Sequence, residues 1–235
     1  SKLEALLSFI DYTLLDEYFK PDSHRCGPKG YSKKQLFNTL ISMQIEQFSD
    51  IKSLVTRLKS DPVFRRSLGY DYFENTPSEA TLNRFIKTLA ESDILEKTFR
   101  RMVSKARQLG LIDGTNVAID ASKLTAYEHA VPKSKIPSDD SRFPNWGGKL
   151  DTNGNFIKWF GWKMHALVDT YSGLPISYII TPANIADMDV AEALIQKMMD
   201  DYENGLTPKC YMMDAGYDKP DLYSGIYHKF HGQAI

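Results

Sequence analysis

The sequence predicts an α+β protein, with a helical N-terminal domain over residues 1–110 and an α/β core over residues 111–235. Three observations lead there. Helix-start signals recur through the first hundred residues, the apolar period shifts toward two from Asn116, and the later half then reads as three strands, a helix and a fourth strand.

The helical half is punctuated residue by residue. Ser32-x-x-Gln35 forms a capping box ahead of Leu36, Phe37, Leu40 and Ile41, which share one helical face. Asp50 is placed to cap a second helix bearing Ile51, Leu54, Val55 and Leu58. Asp61-Pro62 opens a short third helix with Val63, Phe64 and Leu68, closed by Gly69. Thr76-Pro77-Ser78-Glu79 supplies an N-cap, a proline at the first helical position and a glutamate two further on, predicting a fourth helix. A fifth starts at Ser92 or Asp93 and ends near Gly110.

On the fourth helix, Leu82, Phe85, Ile86 and Leu89 face inward and leave Asn83, Arg84 and Lys87 outside near its start. Side chains so placed suit the major groove of duplex DNA, and an ordinary solvated face fits equally well. Arg100, Arg101, Lys105 and Arg107 on the fifth helix suit backbone contacts rather than base reading.

In the second half, Asn116–Ala121 reads as a strand, and Lys158–Thr170 with Leu174–Thr181 as a hairpin turned by Tyr171-Ser-Gly173. Asp187–Tyr202 reads as a helix with Val190, Leu194, Ile195 and Met198 inward, and Lys209–Asp214 as the next strand. The Pro-, Ser- and Gly-rich stretch 127–156 is predicted as a loop insertion, disordered in the free protein, whose Lys133, Lys135, Arg142, Trp146 and Lys149 could meet DNA.

Composition excludes some classes of function. At 235 residues and a net charge of −1, the chain can build a substantial core, and no apolar run approaches a membrane span. A soluble, cytoplasmic protein is the expectation. Cys26 and Cys210 fall in different units, and the five histidines form no ligand cluster, which argues against a structural zinc site. Residues 1–110 carry 18 Lys and Arg against 14 Asp and Glu, and residues 111–235 carry 11 against 16. The basic half can meet phosphate and the acidic half can concentrate metal.

Two carboxylates stand out. Asp120 closes the apolar run Asn116-Val-Ala-Ile-Asp120, and Asp214 closes Cys210-Tyr-Met-Met-Asp214. A carboxylate at the end of a buried strand is held rigidly where solvent begins, which suits it to fixing a hard cation such as Mg²⁺ over a phosphate. Each alone also reads as a turn former or helix cap. Lys123, three residues past Asp120, and Lys163, on the hairpin strand with His165 and Asp169, can either steady a phosphate or serve as solvated strand charges.

The ordered strings Phe160-Gly-Trp-Lys-Met-His-Ala-Leu-Val-Asp169, Ser172-Gly-Leu-Pro-Ile176, Thr181-Pro-Ala-Asn184 and Met213-Asp-Ala-Gly-Tyr217 carry further information. With the two aspartates, they make the chain resemble bacterial insertion-sequence transposases of the Asp-Asp-Glu class with an InsH-type N-terminal domain, from about Gly30 to Phe230. The resemblance implies a ribonuclease-H-like core with Asp120 and Asp214 as the first two acidic residues. It further implies two Mg²⁺ or Mn²⁺ ions, double-stranded DNA ends and target as partners, and a homodimer on DNA.

No glutamate follows Glu203 and no arginine follows Arg142, so the family's Tyr-x2-Arg-x3-Glu-x6-Lys string is not in this sequence. The core is therefore expected to be partial and the chain to be inactive in strand cleavage by itself. Asp218 and Asp221 are the only acids after Asp214, and Asp218 reads as the cap of a short helix. A non-catalytic DNA-binding remnant and a metal-dependent nuclease of the same fold are the alternatives.

Overall fold

The computed structural model describes residues 2–20, 30–137, 143–150, 153–202 and 206–235. It divides into two compact units, residues 1–99 and residues 100–235. The boundary falls inside a continuous helix, α7 (Ile94–Gln108), rather than at residue 110. Among the described residues no helix is long and apolar enough to cross a membrane.

The first unit is built from α1 (Lys2–Ser8), α2 (Thr13–Tyr18), α3 (Lys33–Ile45), α4 (Ile51–Ser60), α5 (Pro62–Ser67), α6 (Glu79–Ala90) and the opening of α7. Local chemistry sets the helix starts. Asp50 accepts the Ser53 N–H at 2.7 Å at the head of α4. Asp61 accepts those of Val63 (2.9 Å) and Phe64 (3.0 Å) at the head of α5. The Ser32 N–H donates to Gln35 Oε1 at 3.0 Å, the reciprocal half of the capping box. Gly69, with φ +94°, then supplies the left-handed backbone that ends α5.

One cap differs from the sequence reading. Ser78, not Thr76, starts α6, accepting the Thr81 N–H at 3.3 Å. Pro77 is buried just before that cap, and the Thr76 carbonyl is taken by the Tyr31 hydroxyl at 2.8 Å. Starting at Glu79 turns Leu82, Phe85 and Leu89 inward, while Ile86 lies at the rim with 37% exposure. Leu54, Leu58, Leu68, Leu82 and Tyr70 fill the centre. The polar groups buried there are paired: Asn38 Nδ2 donates to the Leu68 carbonyl at 3.2 Å, Ser42 to that of Thr39 at 2.7 Å, and Thr39 bonds the Tyr70 hydroxyl at 3.0 Å.

The second unit holds β1 (Asn116–Thr125), β2 (Asn145–Leu150), β3 (Phe156–Asp169), β4 (Pro175–Pro182), α8 (Met188–Asp201), β5 (Cys210–Met213), α9 (Pro220–His228) and β6 (Gln233–Ala234). Its central sheet runs β4-β3-β1-β5-β6. β3 is antiparallel to both β1 and β4, and β5 is parallel to both β1 and β6. With α8 linking β4 to β5 and α9 linking β5 to β6, this is the ribonuclease-H-like topology. Val190, Ala191, Leu194, Ile195 and Met198 of α8 are buried, as are Val117, Ile119, Leu167, Ile176 and Tyr211 of the sheet. At Gly161, with φ +155°, an added Cβ would lie 2.1 Å from the Leu124 carbonyl oxygen, so glycine lets β3 meet β1 there.

Where stretch 127–156 is described, it holds more regular structure than its composition predicts. Asn145–Leu150 forms β2, paired antiparallel to Phe156–Gly161 of β3. Trp146 donates Nε1–H to the Val131 carbonyl at 2.8 Å and packs on Phe160 with ring centroids 5.6 Å apart, so it anchors the hairpin. Glycines at 147 and 148 look like loop signals, yet an added Cβ at Gly147 would meet the Trp159 ring at 2.6 Å. Arg142 lies outside the described residues.

Candidate active site

Sheet register determines where the two aspartates stand. Along the parallel β1–β5 ladder Ala118 faces Met212 and Ile119 faces Met213, so one further step sets Asp120 beside Asp214. Neighbouring strands lie about 4.8 Å apart, within which two carboxylates can share a cation. Asp120 lies inside β1, which runs on to Thr125, rather than at a strand end as the sequence suggested; it is exposed and its Oδ1 accepts the Ala121 N–H at 2.7 Å. Asp214 leads the 3₁₀ turn Ala215–Tyr217, its Oδ1 accepting the Gly216 N–H at 2.9 Å. In both side chains Oδ1 is oriented by backbone, and Oδ2 remains to meet a ligand. Asp218 ends this turn rather than capping α9, which starts after Lys219 without a side-chain cap.

The charges of the pair and of Asp187 all act on one buried side chain, Tyr217. Tyr217, 1% exposed, has its hydroxyl pKa pushed up by burial first, and then by the charges of Asp187, Asp120 and Asp214. Asp187, just before α8, accepts from the Lys163 ammonium at 2.8 Å, and the same ammonium donates to the Ile185 carbonyl at 2.9 Å. Lys163 therefore braces the approach to α8. His165, 1% exposed, bonds Thr181 Oγ1 through Nε2 at 2.9 Å. Burial pushes its pKa down, against the opposing charge of Asp187. Asp169 is also structural: it accepts from the Gly114 N–H at 2.8 Å, the Ser172 N–H at 2.9 Å and the Ser172 hydroxyl at 2.7 Å. Burial pushes the Asp169 pKa up, but these bonds outweigh it and hold the carboxyl below its usual value.

Cross-strand pairing sorts the remaining charges. Asp120 pairs with Ala166 and Lys123 with Lys163, so the lysines share the opposite face of the sheet from Asp120. Lys123 is exposed. In the first unit, Asn83, Arg84 and Lys87 are all exposed on α6; Arg84 Nε donates to the Ala80 carbonyl at 3.2 Å, and Lys87 stands 3.9 Å from Glu91. Sequence reasoning missed Asp187 and Tyr217. Tyr217 stood in the string Met213–Tyr217, but its approach to Asp120 and Asp187 depends on long-range packing.

The donor set fits a divalent cation held by two hard carboxylate oxygens. Among the described residues no three His, Cys, Asp or Glu side chains are grouped to hold a metal, so the pair fits one cation rather than a complete two-ion cage.

The family described as "Transposase DDE domain" matches residues 104–232, more than half of the chain. The chain belongs to that family. Ahead of this DDE domain, residues 1–88 match the family "Transposase domain (DUF772)". Among solved structures, the DDE chain is similar to "Mos1 transposase paired-end complex with left transposon end", at 10% identity and a TM-score of 0.31. That likeness covers 92% of this chain and 61% of the other, so the DDE chain spans less than two thirds of that transposase's length. No curated protein matches it.

Proposed function

We propose that this chain works as an insertion-sequence DNA transposase, whose chemistry is metal-dependent strand cleavage at element ends and strand transfer into target DNA. The observation that supports the reading is the register of the parallel β1–β5 ladder, whose next step past Ile119 and Met213 sets Asp120, inside β1, beside Asp214, just past β5. These two would hold Mg²⁺ or Mn²⁺, which supplies Lewis-acid stabilisation of charge on a phosphoryl oxygen during in-line displacement. The chain's own part is to fix the carboxylates through Ala121 and Gly216 and to keep Asp187 engaged by Lys163. Asn83, Arg84 and Lys87 would meet duplex DNA, with Lys123 as a further phosphate contact and two copies pairing two ends. Lys163, engaged by Asp187, reads better as a brace than as a phosphate contact.

A second reading is favoured by one observation. With no third His, Cys, Asp or Glu grouped beside the two carboxylates among the described residues, this chain is expected to bind the cation weakly and to bind DNA without appreciable cleavage.

A labelled duplex carrying an element end, incubated with the chain in Mn²⁺, tests both. Nicking abolished by Asp120→Ala supports catalysis by this chain, and joining of the cut 3′-hydroxyl to target DNA separates a transposase from a nuclease. Salt-sensitive binding without nicking supports the second reading. Absence of both binding and nicking defeats the two together.

A further inference from the structure

We propose that the groove at the start of β5 is a phosphate-binding site, in which Lys209, His228 and His231 hold a backbone phosphate of bound DNA. That the phosphate belongs to DNA rests on the transposase reading given above.

An open groove of about 720 Å³ lies at the start of β5 and the end of α9, lined by Lys209, Tyr227, His228, His231, Gly232 and Gln233. Its side chains supply an ammonium, a phenol hydroxyl, two imidazoles and an amide, all able to donate, and no carboxylate stands among them. The groove departs in this from its surroundings, because residues 111–235 carry 11 Lys and Arg against 16 Asp and Glu. Lys209, His228 and His231 are exposed with no carboxylate partner among the described residues, whereas the neighbouring Lys229 is held by Glu192 at 3.0 Å. Several unpaired donors gathered without an acid suit an anion. Each imidazole supplies an N–H in either protonation state, and hydrogen bonds to ionised oxygens are the strong ones.

Backbone packing fixes the groove. His231 has φ +54°, a left-handed conformation uncommon outside glycine, and an added Cβ at the next residue, Gly232, would lie 2.4 Å from the Tyr211 ring. The stretch is therefore pressed against β5. The Gln233 N–H donates to the Lys209 carbonyl at 2.8 Å and the Gly232 N–H to that of Ile226 at 3.1 Å, tying both sides of the groove together. The latter bond, with the Gly225 carbonyl accepting from the Lys229 N–H at 2.9 Å, also occupies α9 carbonyls that would repel an anion. Lys209 precedes β5 and Asp214 follows it, so at ~3.3 Å per residue the two stand roughly 16 Å apart. A phosphate held in the groove is thus not the one met by the carboxylates, and its contact positions the DNA rather than reading or cutting it.

The experiment measures affinity of the 235-residue chain for a fluorescently labelled DNA duplex by anisotropy across a salt series, with inorganic phosphate followed by ³¹P linewidth in a second arm. Lys209→Ala is expected to weaken duplex binding about tenfold and to make the slope of log affinity against log salt shallower by about 1. His231→Gly removes an imidazole while suiting the left-handed backbone, so it is expected to weaken binding about threefold and to unfold no earlier than the parent on heating. Lys229→Ala makes the same change of charge outside the groove and is expected to bind as the parent does. Parental duplex affinity in both Lys209→Ala and His231→Gly overturns the proposal; if their binding of inorganic phosphate is weakened all the same, the groove takes the free anion and not DNA. Equal weakening by Lys229→Ala also overturns it, by assigning the effect to net charge. Arg84→Ala keeps two failures apart. If it weakens duplex binding while the groove variants do not, only the groove's role falls; if the parent binds no duplex, the DNA-binding reading is wrong and the proposal falls with it.

Discussion

The two units differ in how their buried hydroxyls are satisfied. In residues 1–99, Asn38, Thr39, Ser42 and Tyr70 lie inside the helical core with their side chains bonded to one another or to backbone carbonyls. In residues 100–235, the hydroxyls of Ser177, Tyr211 and Tyr217 are buried with no hydrogen-bond partner among the described residues. A satisfied polar core secures a unique packing, whereas an unsatisfied one costs stability and is retained where another role compensates. By that contrast, the unsatisfied hydroxyls of the second unit carry a desolvation cost that the bonded side chains of the first do not.

The largest effect expected lies in the helical core. Leu58→Ala removes a side chain with 0% exposure and should cost about 3 kcal/mol. Hydrogen exchange should locate the loss in residues 1–99. A cost below about 1 kcal/mol would mean that this core relaxes around the cavity.

In the second unit, Asp169→Asn replaces an acceptor that ties Gly114 and Ser172 to the end of β3. The expected cost is roughly 2 kcal/mol in denaturant unfolding, since bonds to an ionised group exceed neutral ones. No change on substitution would show that the turn after β3 holds without this carboxylate.

Ser78→Ala should cost about 1 kcal/mol through loss of the α6 cap, and Thr76→Ala much less. The reverse order would restore the cap to Thr76.

The smallest effect is a pH dependence. The folded-state pKa of His165 is lowered from 6.5, so on acidification the unfolded chain takes up a proton first. Its stabilising contribution is complete above pH 6.5 and declines as pH falls from there toward the lowered folded value. Thermal unfolding followed between pH 7.5 and 5.5 should show that decline, and His165→Gln should flatten it. An unchanged slope in the variant would assign the dependence to other groups.

Much of the architecture was legible because it is local. Asp50 and Asp61 cap where side-chain chemistry alone places them, and the change of period at Asn116 marks the first strand. The α6 cap was ambiguous because Thr76 and Ser78, both able to cap, flank Pro77, and only the packing of Pro77 and Tyr31 decides between them. Strand β2 was illegible because Gly147 and Gly148 resemble a loop until the Trp159 and Phe156 rings beside them are known. At the site, Asp214 stands just past its strand as the sequence suggested, whereas Asp120 lies inside β1, because pairing with β3 carries that strand on to Thr125. The burial of Tyr217 among charges from separate elements could not be read, because it depends on how those elements pack. The sequence also left Lys163 open, and its bond to Asp187 shows a brace that no spacing rule implies.

The most direct test of the account is a double-mutant cycle on Mn²⁺ affinity with Asp120→Asn, Asp214→Asn and the pair combined. If the two carboxylates hold one cation, each single substitution should weaken binding nearly as much as both together, because removing either ligand dismantles the same site. Strictly additive losses, or parental affinity in either single variant, would contradict a cation site shared by Asp120 and Asp214.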